Sequence, residues 1–170
     1  MGMNVAIVGL SQSGRDSIPF NQDGWEVWGM PQDNEHWVRF DRVFDPHNPI
    51  EVLEAVGEKH IERLQDIDSV LYMQYPGIEH ATPYPFDKVG TKYMSSTIGY
   101  MLALAIAENV DEIMLIGVDM ADDTEYRHQR ANCEYFIGFA RGKGIKVTIP
   151  DESPVCKYQG EFDGRYGWRE

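Results

Sequence analysis

Only two cysteines occur among 170 residues. Cys133 and Cys156 have neither metal-type nor redox-type spacing, so two reduced thiols are expected and disulfide stapling is not. Long apolar runs are missing as well: the longest, Tyr100 to Ala107, is far below the roughly 20 residues that a membrane span needs. Met1 to Leu10 lacks the basic start and cleavage region of a signal peptide, which makes a cytoplasmic protein without membrane attachment the expectation. Positive charge is scarce too. Lys and Arg number 15 against 28 Asp and Glu, a formal charge of −13 with no basic cluster, and this balance repels nucleic-acid backbones. A small phosphorylated ligand stays compatible with it, because such a site needs only a few cations and some backbone N–H groups. Neither a G-x-G-x-x-G fingerprint nor a Walker loop is present, so hydride carriers and ATP hydrolysis lose support. There is no internal repeat and no low-complexity segment.

What is present reads as strands alternating with helices. Apolar residues make up 42% of the chain, enough for one core and short for two. Asn4 to Gly9 is a branched apolar run closed by a glycine and predicts a central strand buried on both faces. Trp25 to Met30, Arg42 to Asp45 and Ser69 to Gln74 predict further strands. Val52, Leu53, Val56, Ile61 and Leu64 recur at helical spacing, so Glu51 to Gln65 predicts one surface helix. Tyr75 to Tyr93 holds three prolines and two glycines with no sustained period, and is expected to be a long loop able to act as a lid. Ser95 and Ser96 then cap a helix with Ile98, Met101, Leu102 and Ala105 on one face, followed by a strand from Glu112 to Gly117. Glu125 to Arg141 places Cys133, Phe136, Ile137 and Ala140 on one face of a second helix, which leads to a strand from Ile145 to Ile149. This alternation predicts an α/β, Rossmann-like domain over residues 1–150, with a mainly parallel sheet and helices on both faces. The tail, residues 151–170, carries Tyr158, Phe162, Tyr166 and Trp168 between glycines. It is expected to pack on the body or on another subunit of a homo-oligomer.

Ligands of open α/β sheets bind beyond the carboxyl ends of the strands, so the segments that follow strands are the informative ones. After the first strand comes Gly9-Leu10-Ser11-Gln12-Ser13-Gly14-Arg15-Asp16. Gly9 permits close backbone approach, Ser11 and Ser13 offer hydroxyls, Arg15 could neutralise a phosphate, and a helix start would add its positive end. A plain turn and helix cap is the competing reading. Ser95-Ser96-Thr97-Ile98-Gly99 opens a helix with more hydroxyls than a cap needs, so its serines face either a ligand phosphate or the helix's own N–H groups. Asp119 closes a strand where an acidic residue could hold a ribose hydroxyl, whereas Asp122 and Asp123 suit capping of the next helix. On that helix Tyr126 and Arg130 share one side by their i, i+4 relation, and His128 is either a general base or a solvated surface histidine. His36, His47, His60 and His80 lack ligand spacing, and no metal is required by any motif. Trp25, Trp28 and Trp37 could stack on a base, but large aromatics at such positions are more often core.

Met94-Ser95-Ser96-Thr97-Ile98-Gly99-Tyr100-Met101-Leu102-Ala103-Leu104-Ala105-Ile106-Ala107, continued by Asp111-Glu112-Ile113-Met114-Leu115-Ile116-Gly117-Val118-Asp119-Met120, resembles the nucleotide-binding half of bacterial sialyltransferases of the CMP-sialic-acid type. Ile7-Val8-Gly9-Leu10-Ser11-Gln12-Ser13 is similar to their first strand and Gly/Ser turn, and related domains occur in motility-accessory and pterin pyrophosphokinase proteins. Trp25-Glu26-Val27-Trp28-Gly29 and Tyr126-Arg127-His128-Gln129-Arg130 also resemble segments of small bacteriophage proteins. The sialyltransferase resemblance implies a nucleotide site at Ser11, Ser13, Ser95, Ser96 and Asp119, with a histidine as general base and tyrosines assisting the leaving phosphate. His128 follows Gly117-Val118-Asp119 without the lid segment that the family places between them. Three functions share this pocket. The first is a metal-independent transferase using a nucleotide sugar, in which Arg15 or Arg130 balances charge, His128 activates an acceptor and Tyr126 assists. The second is a non-catalytic protein that sequesters a nucleotide signal. The third is a hydrolase or pyrophosphokinase with a cation at Asp119 and Asp122. The expected ligand throughout is a nucleotide or nucleotide sugar, with no further cofactor required.

Overall fold

Alternate side chains of the first strand, β1 (Asn4–Val8), enter different cores. Val5 and Ile7 join one apolar cluster, Ala6 and Val8 another, and none is more than 2% exposed. A strand that buries both faces needs neighbours on both edges and cover on both sides. It pairs in parallel with β2 (Trp25–Gly29) on one edge and with β6 (Glu112–Ile116) on the other. Beyond β2 lie β3 (Arg42–Asp45), β4 (Val70–Met73) and the two-residue β5 (Thr82–Pro83), and beyond β6 lies β7 (Lys146–Thr148). The strand order is β5-β4-β3-β2-β1-β6-β7 and every pairing is parallel. The chain is therefore a Rossmann-like α/β fold, and six of the seven strands among the described residues begin and end within one residue of the sequence expectation. This computed structural model describes residues 2–31, 39–91, 93–121 and 126–157. Trp37, Asp122, Asp123 and the aromatic tail from Tyr158 onward lie outside the described residues.

Three expectations need correction. The span from Glu51 to Gln65 is two helices, α1 (Pro49–Val56) and α2 (Glu58–Gln65), separated at Gly57 with φ +84°. That left-handed region costs a glycine little, and an α-helix cannot run through it. Asn48 starts α1 by accepting the Ile50 N–H at 3.1 Å, with Pro49 at the first helical position. The segment Tyr75 to Tyr93 is no bare loop, since it contains β5 and the short helix α3 (Phe86–Val89). Tyr84 between them is 6% exposed and donates its hydroxyl to the Tyr100 carbonyl at 2.8 Å, which anchors the segment to the core. Finally, the turn after β1 enters only a three-residue 3₁₀ turn, Arg15–Ser17, and so supplies no α-helical N-terminus.

The helix after that segment, α4 (Thr97–Ala107), is buried all round rather than along one face, with every residue from Ile98 to Ile106 in the core. It lies against β1 and β3 on one side and against α3 and the long helix α5 (Tyr126–Gly142) on the other. A helix apolar on all sides has to sit between layers in this way. Met101, Leu102 and Leu104 are fully buried, and each contributes about 2 kcal/mol of transfer free energy. Just past the C-terminal end of α4, Glu108 meets the Arg42 guanidinium at 2.8 Å, while Arg42 also pairs with Glu26 at 2.8 Å and lies 4.6 Å from the Trp28 ring centroid. This staple ties β2, β3 and α4 together. Trp28 is fully buried beside Phe44, a core residue rather than a base-stacking wall. Cys133 and Cys156 are both free thiols. Among the described residues no helix is long and apolar enough to cross a membrane.

Candidate functional site

The chain builds β2 to β5 on one side of β1 and then crosses by α4 to lay β6 on the other. At such a reversal the loops leaving the two central strands part, and a crevice opens beyond the strand ends. Here the crevice is a cleft of about 820 Å³. Gly9, Ser11 and Asp119 border it from the loops after β1 and β6, Ser95 to Ile98 from the start of α4, and Met30 and His47 from the loops after β2 and β3.

Two glycines make those loops meet. A Cβ on Gly9 would lie 2.3 Å from the Gly117 carbonyl oxygen, and one on Gly117, with φ +63°, would lie 2.5 Å from the Ser11 oxygen. Backbone hydrogen bonds follow from this approach: Ser11 N–H donates to the Gly117 carbonyl at 2.9 Å, and Gly117 N–H donates to the Ser13 carbonyl at 2.7 Å. The Ser13 hydroxyl, 7% exposed, donates to Asp119 Oδ1 at 2.5 Å. Gly14 N–H is taken by Glu152 at 2.8 Å, and Arg15 folds back onto the Leu10 and Ser11 carbonyls, 2.7 Å each. A turn with no α-helix behind it has to satisfy its own polar backbone. Gly9 and Ser11 accordingly line the cleft, while Ser13 and Arg15 hold the shape of the turn.

The start of α4 offers more to an anion. Ser96 is the N-cap, accepting the Gly99 N–H at 3.0 Å. The N–H groups of Thr97 and Ile98 belong to the first turn and have no intrahelical acceptor, and both residues line the cleft. Ser95 is set by α5: its N–H donates to Asn132 Oδ1 at 3.3 Å, and the Asn132 amide donates to the Tyr93 carbonyl at 2.7 Å. Asn132 is fully buried, so the latch holds the entry to α4 from behind. Among the described residues the Ser95 hydroxyl reaches the His128 carbonyl, at 3.5 Å, a separation at the outer limit of a hydrogen bond. Ser95 and Ser96 thus divide the two roles expected of them, Ser96 as cap and Ser95 beside the cleft.

Two catalytic candidates on α5, His128 and Arg130, are engaged or placed elsewhere. His128 is exposed, and its neighbour Gln129 lines the cleft. Arg130 bonds Glu134 at 2.8 Å and the Pro154 and Lys157 carbonyls at 2.7 and 3.1 Å. It clamps the start of the C-terminal tail to α5. Tyr126 opens α5, and its side chain lies outside what is described.

An imidazole does border the cleft, and it comes from a strand end not singled out in the sequence. Asp45, the last residue of β3, is 1% exposed. His47 Nδ1 lies 2.5 Å from Asp45 Oδ1, His60 Nε2 of α2 lies 2.6 Å from Oδ2, and the His47 N–H donates to Oδ1 at 3.0 Å. Burial works against the charge on Asp45, but these three donors prevail and hold its carboxyl below the usual carboxylate range. An ionised carboxylate only accepts hydrogen bonds, so both rings present N–H to it. The spacing of two and fifteen residues from Asp45 fits no helical motif. The visible signal was an acidic residue closing a strand directly before Pro46-His47. Among the described residues, no group of three or more His, Cys, Asp or Glu could hold a metal ion.

No protein-family model matches the chain, and no curated protein matches it either. Solved structures do. The sialyltransferase CstII from Campylobacter jejuni in complex with cytidine-5'-monophosphate is 17% identical, with 90% of this chain and 81% of that chain covered and a TM-score of 0.52. CstII in complex with CMP-3FNeuAc is 15% identical over 91% of this chain and 82% of that one, with a TM-score of 0.50. CstII with a trisaccharide acceptor and CMP is 15% identical over 89% and 81%, also with a TM-score of 0.50. Across nearly its whole length, the chain shares the α/β fold of these sialyltransferases.

Proposed function

We propose that the cleft between the β1 and β6 loops binds the phosphate of a nucleotide or nucleotide sugar. The observation that carries this reading is the start of α4, where unpaired first-turn N–H groups and the Ser95 side chain border the cleft at the reversal of strand order. A helix of 11 residues directs its positive end there and favours an anion. Asp119, oriented by Ser13, is set to accept a ribose hydroxyl. Support of a second kind comes from the shared fold, since CstII is solved in complex with CMP. In this reading the chemistry is a metal-independent group transfer of the glycosyltransferase kind. Sequestration of a nucleotide without turnover is the second reading, favoured by Arg130 being tied to the tail and His128 lying away from the lining.

Isothermal titration of the full chain with nucleoside monophosphates and nucleotide sugars, with and without Mg²⁺, tests the common premise. At least one nucleotide should bind without the metal, and Ser95→Ala should weaken it about tenfold with little change in melting temperature. No heat of binding from any member of the set at millimolar concentration would remove the reading.

A further inference from the structure

A second hollow, of about 750 Å³, opens between α1, α2 and the turn after β4. Its surface is more apolar than polar, with Pro46, Val52, Ala55 and Tyr75 among the lining, and the alkyl stems of long charged side chains extend such a surface. Most of its polar side chains are already bonded within the protein. His47 and His60 meet Asp45, Gln74 accepts the Tyr100 hydroxyl, and Asn48 caps α1 and donates to Glu51 at 3.3 Å. Two cations are the exception. Lys59 and Arg63 line the hollow one turn apart on α2, and among the described residues neither has a hydrogen bond or an ion pair. Arg15, Arg39, Arg42, Arg130 and Arg141, by contrast, each bond a carboxylate or carbonyl oxygen. Arg63 is half-buried and stands apart from them, in a chain where Asp and Glu outnumber Lys and Arg 28 to 15. A guanidinium partly withdrawn from water loses hydration that no protein group here replaces, and its planar fork matches a carboxylate or a phosphate.

We infer that this hollow is a binding site for a small organic anion with an apolar body, an aryl or alkyl group that carries one carboxylate or phosphate. Arg63 takes two oxygens of the anionic group, and Lys59 adds a point charge one turn away. The body lies against Pro46, Val52 and Ala55, where its removal from water favours binding. Glu51 also lines the hollow and opposes a second negative charge, so the site selects a single anionic group over a di- or triphosphate. A hollow of this volume is in the range that holds a small organic ligand. Pro46 and His47 line both it and the first cleft, but the anion needs no nucleotide in that cleft.

The test titrates the full chain, by calorimetry, with naphthoate, naphthyl phosphate, the neutral naphthylmethanol, acetate and inorganic phosphate. At least one naphthyl anion should bind with a Kd of about a millimolar or lower, and the two anionic arms tell carboxylate from phosphate. Naphthylmethanol, acetate and inorganic phosphate should each bind about tenfold or more weakly than that anion, because each lacks either the charge or the body. Arg63→Gln with Lys59→Gln should weaken the naphthyl anion about tenfold or more, with little change in melting temperature and none in the affinity for naphthylmethanol. Ser95→Ala, in the first cleft, should leave the anion's affinity unchanged. No binding of either naphthyl anion at millimolar concentration overturns the inference, as does equal affinity for naphthylmethanol or full affinity in the double variant. Loss of affinity in Ser95→Ala assigns the anion to the first cleft and overturns the inference as well.

Discussion

Ser13 donates its hydroxyl to Asp119 across the reversal of strand order, 106 residues apart in sequence and 2.5 Å apart in space. The bond joins the turn after β1 to the turn after β6 and sets the carboxylate that borders the cleft. Ser13→Ala should lower stability by about 1 kcal/mol, measured as a lower urea midpoint at constant slope. A double-mutant cycle with Asp119→Ala should give a coupling of about 0.5 kcal/mol or more; strict additivity would mean that the contact contributes nothing.

Gly99 sits where α4 crosses α5, and an added Cβ would lie 2.2 Å from Asn132 Oδ1. Gly99→Ala should therefore cost about 2 kcal/mol, despite alanine's better helix propensity. In an Asn132→Ala background the same substitution should cost much less. Thermal melts of the four proteins decide it.

Arg42 links Glu26 and Glu108 with a side chain 15% exposed. Arg42→Met keeps the stem over Trp28 but leaves two carboxylates facing each other at low solvent access. A loss of about 2 to 3 kcal/mol is expected, and restoring neutrality with Glu108→Gln should recover part of it. Chemical denaturation of the single and double variants measures both.

Asp45 makes stability depend on acid. Its folded-state carboxyl is held below the ordinary range, so the stabilisation is complete above about pH 4 and is lost as pH falls through the lower folded-state value. Wild type should exceed Asp45→Asn in stability at neutral pH, and the difference should shrink as the pH is lowered below about 4. A gap that stays constant down to acid unfolding would contradict the assignment.

The sheet was readable in the sequence because β1 and β6 are short branched runs that bury both faces, and because α4 is apolar enough to cross between layers. Breaks in periodicity were harder. Val52, Leu53, Val56, Ile61 and Leu64 keep helical spacing straight through Gly57, so the pattern concealed the break that the left-handed glycine makes. The cleft was legible as the ends of β1 and β6 and the start of α4, and Gly9, Ser11, Ser95, Ser96 and Asp119 do border it. Which side chains turn inward was not. Ser13 and Arg15 have the chemistry of a phosphate site but serve backbone and carboxylate partners that appear only once the chain is folded. The Asp45, His47 and His60 group is assembled from a strand end, a loop and a helix, and no local pattern records such an assembly.

Gly9 and Gly117 touch through their main chains, and this restricts how the protein can change over evolutionary time. Neither position tolerates a side chain, so new ligand preferences have to be written around the contact. The letters open to change are Leu10, Met30, Ala121 and Gln129 along the lining, and the two glycines act as fixed punctuation between them. A library built on those four positions explores most of the recognition open to this scaffold, whereas one that includes either glycine mainly samples unfolded chains.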